Sequence, residues 1–321
     1  MKKILPYTEP IFSTFHCAAV TEIAGNESIQ IKNWMINNYL RWRCIVNFTE
    51  NFDHIVTIDE SMIWNVPIFT TKRFEKEEIL NSIHEKIINL IDDNYYVFLA
   101  GIDDYYITGK SNYLIRHLSH DGIILGYNNT DNTYQMVAYT LNQHLERFFF
   151  PKDDLEKSFN STQISPSGLI LGLKTNADYN IELDVVRIKK LLAEYLFPDK
   201  CSITPDDGYA YGLNVYLQLH KYITLLKNGE LDYLDLRVFR LLYEHKKFVL
   251  KLLFRLCSEL GIVSDAPHLY NKIVNQSEIL RLLSIKYAVT NNKSVLEKID
   301  SNILLLMDEE RIILSDFFSL L

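Results

Sequence analysis

A thiol beside an imidazole that can take its proton is enough to begin nucleophilic attack on an acyl carbon. In this chain of 321 residues, Cys17 and His120 have the settings best suited to that chemistry. Thr14 can cap a helix that Phe15-His16-Cys17-Ala18-Ala19-Val20 begins and Gly25 ends, which places Cys17 in the first turn. Unpaired backbone N–H groups and the positive end of the helix dipole favour a thiolate there. A small core residue is the plainer reading of a lone cysteine. His120 opens an apolar run, Ile123-Ile124-Leu125-Gly126-Tyr127, that reads as a strand able to hold the ring in place. His117, His16 and His144 are its rivals, although His16 cannot share a helix face with the adjacent Cys17. A helix-borne cysteine and a histidine on a later strand can be brought together in space as nucleophile and base.

The elements that must carry these residues follow from periodicity. Helices are predicted over 14–25, about 30–41 and 75–91, the last with Ile79, Leu80, Ile83, Ile87, Ile88 and Ile91 on one face. Apolar runs over 95–102, 120–127, 134–139 and 168–173 read as strands. Asn128–Asn132 is a loop by composition and makes a hairpin of the middle two, while Ser165-Pro166-Ser167 precedes the fourth. Beyond Asp178 the spacing turns helical: 185–196, 212–226, 234–260, 277–290 and 294–306, punctuated by Pro198, Pro205 and Asp206-Asp207-Gly208. The expected organisation is an α+β domain over 1–178 and a helical domain over 179–321.

Composition narrows the function classes. With 48% hydrophobic residues, 11 glycines and 8 prolines, the chain is neither disordered nor collagen-like. A net charge of −8 argues against a general nucleic-acid binder. Met1-Lys2-Lys3-Ile4-Leu5-Pro6 is followed by Tyr7-Thr8-Glu9-Pro10 before an apolar stretch forms, so it does not read as a signal peptide. Val249–Leu256 and Ile303–Met307 fall far short of the ~20 residues that span a bilayer. Cys17, Cys44, Cys201 and Cys257 form no CxxC pair, and no Walker, dinucleotide or His-Glu-x-x-His motif occurs. The expectation is a cytoplasmic protein that contacts neither nucleic acid nor membrane and needs no metal. The Asp206-Asp207 and Asp103-Asp104 pairs read as solvated loops, and Asp235, Arg237, Glu244 and Lys246 as helical ion pairs or domain contacts. The basic run Arg237, Arg240, Lys246, Lys247, Lys251 and Arg255 offers a docking face for an acidic carrier protein, or an ordinary helix surface.

Three stretches carry a family resemblance: Tyr95–Ile107, His117-Leu118-Ser119-His120-Asp121 with Leu125-Gly126-Tyr127, and Phe15-His16-Cys17. Together they resemble the N-terminal domain family of butirosin biosynthesis protein H, papain-like cysteine enzymes of natural-product assembly. Leu234–Phe239 and Tyr243–Lys247 fit its longer members. The resemblance implies a papain-like fold, Cys17 as nucleophile and His120 as general base. It also implies acyl transfer from a carrier-protein thioester to an amine, with the substrate on a phosphopantetheine arm and no other cofactor. Related folds place an orienting acid on the strand after the histidine. Here that zone, Val137-Ala138-Tyr139-Thr140, holds no carboxylate or amide. Asp103 substitutes for it, as the end of the preceding strand and part of the family-like Ile102-Asp103-Asp104-Tyr105-Tyr106; a strand-end cap explains it equally well. Asp131 and Asn128 sit on a loop tip, and Asp121 should point to the other sheet face. No glutamine precedes Cys17, so its own N–H serves the oxyanion, with Ser13 or Thr14 as helpers or plain caps. Two other readings use the same residues: a cysteine peptidase or amidase, and a non-catalytic binding module.

Overall fold

The computed structural model describes residues 1–13, 16–26, 28–48, 54–58, 65–79, 81–141, 144–164, 168–198 and 208–321. The expected cap at Thr14, the Ser165-Pro166-Ser167 turn, Cys201 and the Pro205–Asp207 punctuation lie outside the described residues. The chain forms a mixed α+β structure with an N-terminal helix, a central antiparallel sheet and C-terminal helices. Two compact units divide it: residues 1–32 with 61–181, and residues 33–60 with 182–321. The sequence placed one division near 178; the stretch 33–60 therefore joins a unit that its position in the chain does not announce.

The first unit is built on a seven-stranded sheet: β1 (Lys2–Ile4), β4 (Phe69–Glu75), β5 (Tyr96–Asp103), β6 (Ser119–Asn128), β7 (Thr133–Tyr139), β8 (Leu145–Pro151) and β9 (Leu169–Thr175). Its order is β4-β9-β5-β6-β7-β8, with β1 added to the far end of β6, and every pairing is antiparallel. β1 lies so close at Gly126 that a side chain there would meet the carbonyl of Lys3 at 2.3 Å. Around the sheet stand α1 (His16–Gly25), the short α3 (Lys76–Ile79), α4 (Ile83–Asp92) and α5 (Lys152–Phe159).

The helix expected over 75–91 is two helices after a strand. Register with β9 keeps residues through Glu75 extended, and Asn81 and Ser82, weak helix formers, separate α3 from α4. The apolar face survives in α4, where Ile83, Ile87, Leu90 and Ile91 are buried. β8 and α5 were not foreseen. Leu145–Pro151 mixes apolar and charged residues because among the described residues it is an edge strand, paired with β7 alone.

The second unit holds a three-stranded antiparallel sheet, β10 (Tyr209–Tyr211) beside β2 (Trp42–Ile45) beside β3 (Val56–Ile58). With it are α6 (Val185–Leu196), α7 (Asn214–Asn228), α8 (Leu236–Leu260), α9 (Ala266–Thr290) and α10 (Lys293–Phe318). The remaining helix, α2 (Ile29–Asn38), begins in the first unit's sequence and ends in the second's. α9 packs against α8 and α10, and α10 also against α6 and α7. Among the described residues no helix is long and apolar enough to cross a membrane.

Candidate functional site

Gly101 shapes the end of β5. Its φ of 69° is a left-handed conformation suited to glycine, and the β5–β6 register slips between Leu99 and Ile102. Asp121 Oδ1 accepts the Gly101 N–H at 3.1 Å, beside this slip. The bulge delivers Asp103 and Asp104 to a single 3-10 turn, Asp104–Tyr106, that begins as the strand stops.

The two aspartates then part. Asp104 Oδ2 accepts from His120 Nδ1 at 3.0 Å, and Oδ1 pairs with Lys110 Nζ at 2.7 Å. A carboxylate only accepts, so Nδ1 carries the proton and a neutral His120 ring has its lone pair at Nε2. Asn112 Nδ2 also reaches Asp104 Oδ2, at 3.3 Å. Asp103 turns elsewhere: Oδ2 accepts from His117 Nδ1 at 2.7 Å and Ser161 Oγ at 2.6 Å, while Oδ1 caps the turn through the Tyr105 N–H. The carboxylate on His120 is thus that of Asp104, not the expected Asp103, and the cap reading of Asp103 describes its Oδ1.

Neither aspartate is solvated, as the pair was expected to be; both are fully buried. Burial opposes the charge of Asp104, but the His120 hydrogen bond and the Lys110 ammonium outweigh it and hold the carboxyl below its ordinary range. Burial likewise opposes Asp103, and the bonds from Ser161, His117 and the Tyr105 N–H bring it down. Lys110, also sealed from solvent, is lowered by burial against the pull of Asp104, and donates a further bond to the Asp121 carbonyl at 2.8 Å. His120 thus rests on a buried, charged foundation while its own side chain stays 28% exposed.

Cys17 is the second residue of α1 and is partly exposed. The segment that leads into α1 is fixed from two sides. Glu22 Oε2 accepts the N–H groups of Ile11 and Phe12 at 2.7 and 3.1 Å. The Tyr139 hydroxyl donates to the Ser13 carbonyl, and the Tyr139 ring lies nearly parallel to His120, 5.9 Å between centroids. The approach to the cysteine helix and the oriented imidazole therefore meet on one tyrosine. The other described cysteines offer poor nucleophiles: burial pushes the thiols of Cys44 and Cys257 up.

Asp104, Lys110, Tyr139 and Ser161 were missed as site residues. One signal was present. A doublet of carboxylates that closes an apolar strand, Asp103 as its last residue and Asp104 just after it, has little chain in which to reach solvent and so points to a buried acceptor.

The basic run on α8 also needs correction. Lys246 is fully buried, pairs with Glu310 Oε2 at 3.1 Å and cannot face a carrier protein. Arg237 is held by Asp235 at 2.7 Å and Arg255 by Glu259 at 2.8 Å. Glu244 is buried.

No protein-family model matches the chain, and no curated protein matches it.

Proposed function

We propose that the chain is a cysteine-dependent acyltransferase of papain-like type that forms amides from carrier-bound thioesters in natural-product assembly. The observation that supports this most is the imidazole of His120 oriented by buried Asp104, beside the tyrosine that anchors the lead-in to Cys17. In the reaction His120 Nε2 takes the Cys17 proton and Sγ attacks the thioester carbonyl. The bond to the phosphopantetheine sulfur breaks, and that sulfur leaves with the proton from His120. An amine nitrogen then attacks the acyl-enzyme and gives its proton to His120, and Cys17 Sγ departs reprotonated. Asp104 keeps the ring in one tautomer and stabilises its charged form at each transfer, as the acid of a triad does. Lys110 keeps Asp104 ionised and in place. A thioester and an acyl-cysteine lie close in energy, and the amide makes the second step downhill, so no nucleotide is consumed.

Intact-protein mass after exposure to an acyl N-acetylcysteamine thioester tests the reading. An acyl adduct is expected that Cys17→Ala and His120→Ala abolish and that an added amine discharges as amide. Adduct loss to water alone, with no amide, would assign the same residues to a hydrolase, a reading favoured by the solvent exposure of His120. No adduct at all would leave a binding module.

A further inference from the structure

α9 divides cleanly into two faces. Ile273, Ser277, Leu280 and Ser284 are buried in the second unit, and the serine hydroxyls bond back to the Val274 and Arg281 carbonyls. The opposite side carries large exposed apolar residues among its polar ones. Ile279 is 53% exposed, Leu282 52%, Ile285 37% and Val289 81%. Their three- and four-residue steps make one continuous stripe, about 15 Å long at 1.5 Å per residue. Such a stripe is a site of association rather than a random scatter of surface leucines.

Its sequence is complementary to itself. Take Leu282 as a centre and set the helix antiparallel to a copy of itself. Ile279, three residues before, then comes level with Ile285 of the copy, three residues after, on the other flank of Leu282. Glu278, four before, meets Lys286, four after, and by symmetry each contact occurs twice. Glu278 keeps 43% of its side chain exposed beside Arg281, a pairing of 3.5 Å on its own helix that leaves room for a second cation. Lys286 is exposed as well. In the parallel setting Glu278 would face Glu278 and Lys286 would face Lys286, which like-charge repulsion disfavours. At the outer end Asn275 meets Val289, a polar rim to the apolar centre.

We propose that α9 is a homodimerisation helix, pairing antiparallel with a second copy of this chain about a two-fold axis at Leu282. One helix pair buries an area at the low end for stable association, so the dimer forms reversibly with concentration. It does not depend on the proposed chemistry, which uses residues of the first unit.

Sedimentation velocity over a dilution series of the full chain tests it, with circular dichroism to show that each variant is folded. Wild type should pass from monomer to dimer as concentration rises, and Leu282→Asp, at the axis, should stay monomeric. Glu278→Lys and Lys286→Glu singly each turn two attractions into repulsions and should raise the dimer Kd about tenfold. The double variant Glu278→Lys/Lys286→Glu restores opposite charges and should bring the Kd back to that of wild type. A wild type that is monomeric throughout, a dimer indifferent to Leu282→Asp, or a double variant no better than the singles would each overturn the proposal.

Discussion

Each unit of this protein buries a lysine–carboxylate pair with a histidine attached, and the two histidines differ in their access to solvent. In the first, Lys110 and Asp104 are sealed, but the histidine they support, His120, reaches solvent. In the second, Lys246 and Glu310 are sealed together with their histidine. Glu310 accepts from the hydroxyls of Tyr195, Tyr216 and Tyr270, and the Lys246 ammonium sits 4.0 Å from the centre of the Trp42 ring. His245 donates from Nε2 to the Leu40 carbonyl at 2.9 Å, and its Nδ1 accepts from Lys246 at 3.3 Å, which occupies both ring nitrogens. Burial first and the neighbouring ammonium second hold the His245 pKa well below its ordinary value, so the ring stays neutral. The lesson is that desolvated charge by itself does not mark a reactive site. What distinguishes Asp104–His120 is that the charge is buried and the proton-carrying group is not.

The sharpest way to break this contrast is to neutralise each carboxylate. Asp104→Asn removes the acceptor that sets the His120 tautomer, and thioester aminolysis should fall ~10³- to 10⁴-fold while the chain remains folded. Glu310→Gln should leave the rate per folded molecule within a factor of two or three, by active-site titration. A drop in aminolysis of equal size for both would erase the distinction.

The second unit's pair should show itself in stability instead of rate. Glu310→Ala leaves Lys246 and three tyrosine hydroxyls without their acceptor and should cost about 3–5 kcal/mol in denaturant unfolding. Lys246→Met with Glu310→Leu removes both charges and should recover most of that loss. If the double variant is as unstable as the single one, the aromatic shell rather than the ion pair holds this core.

The two pairs also titrate in different windows. Asp104 is depressed when folded, so its contribution is present above the ordinary carboxylate range and lost as pH falls through its folded value. Asp104→Asn should therefore flatten the acid limb of stability against pH. Lys246 is lowered by burial from 10.5 to about 8. Between those values the unfolded chain holds the proton and the folded chain has released it, so this group adds stability as pH rises across that window. Lys246→Met should remove that alkaline increment, read from unfolding free energies at pH 8 and 10.

The smallest effect separates neighbours within the first unit. His117→Gln loses a bond to buried Asp103 and the ring stacking on Tyr105, 4.3 Å between centroids, and should cost roughly 1 kcal/mol. Its aminolysis rate should match wild type within about threefold, unlike that of His120→Gln. A large loss of rate in His117→Gln would move the base to the Asp103 dyad.

Composition and periodicity were enough for the mixed α+β class, the strands carrying Val97–Ile102 and Ile123–Tyr127, and the five C-terminal helices, because these follow from local patterns of apolar residues. Cys17 and His120 stood out by type and by the elements that bear them. Which aspartate meets His120 was not legible: β5 slips by one residue against β6 before it ends at Asp103, Asp104 enters a 3-10 turn, and period-two reasoning has no term for a bulge or for that turn. Nor was the fate of Lys246, which shares its helix with surface bases until Glu310 and three tyrosines from distant helices close over it. Local spacing settles which face of an element is apolar. Only the assembled structure decides which charges lose their water, because that depends on partners brought in from elsewhere in the chain.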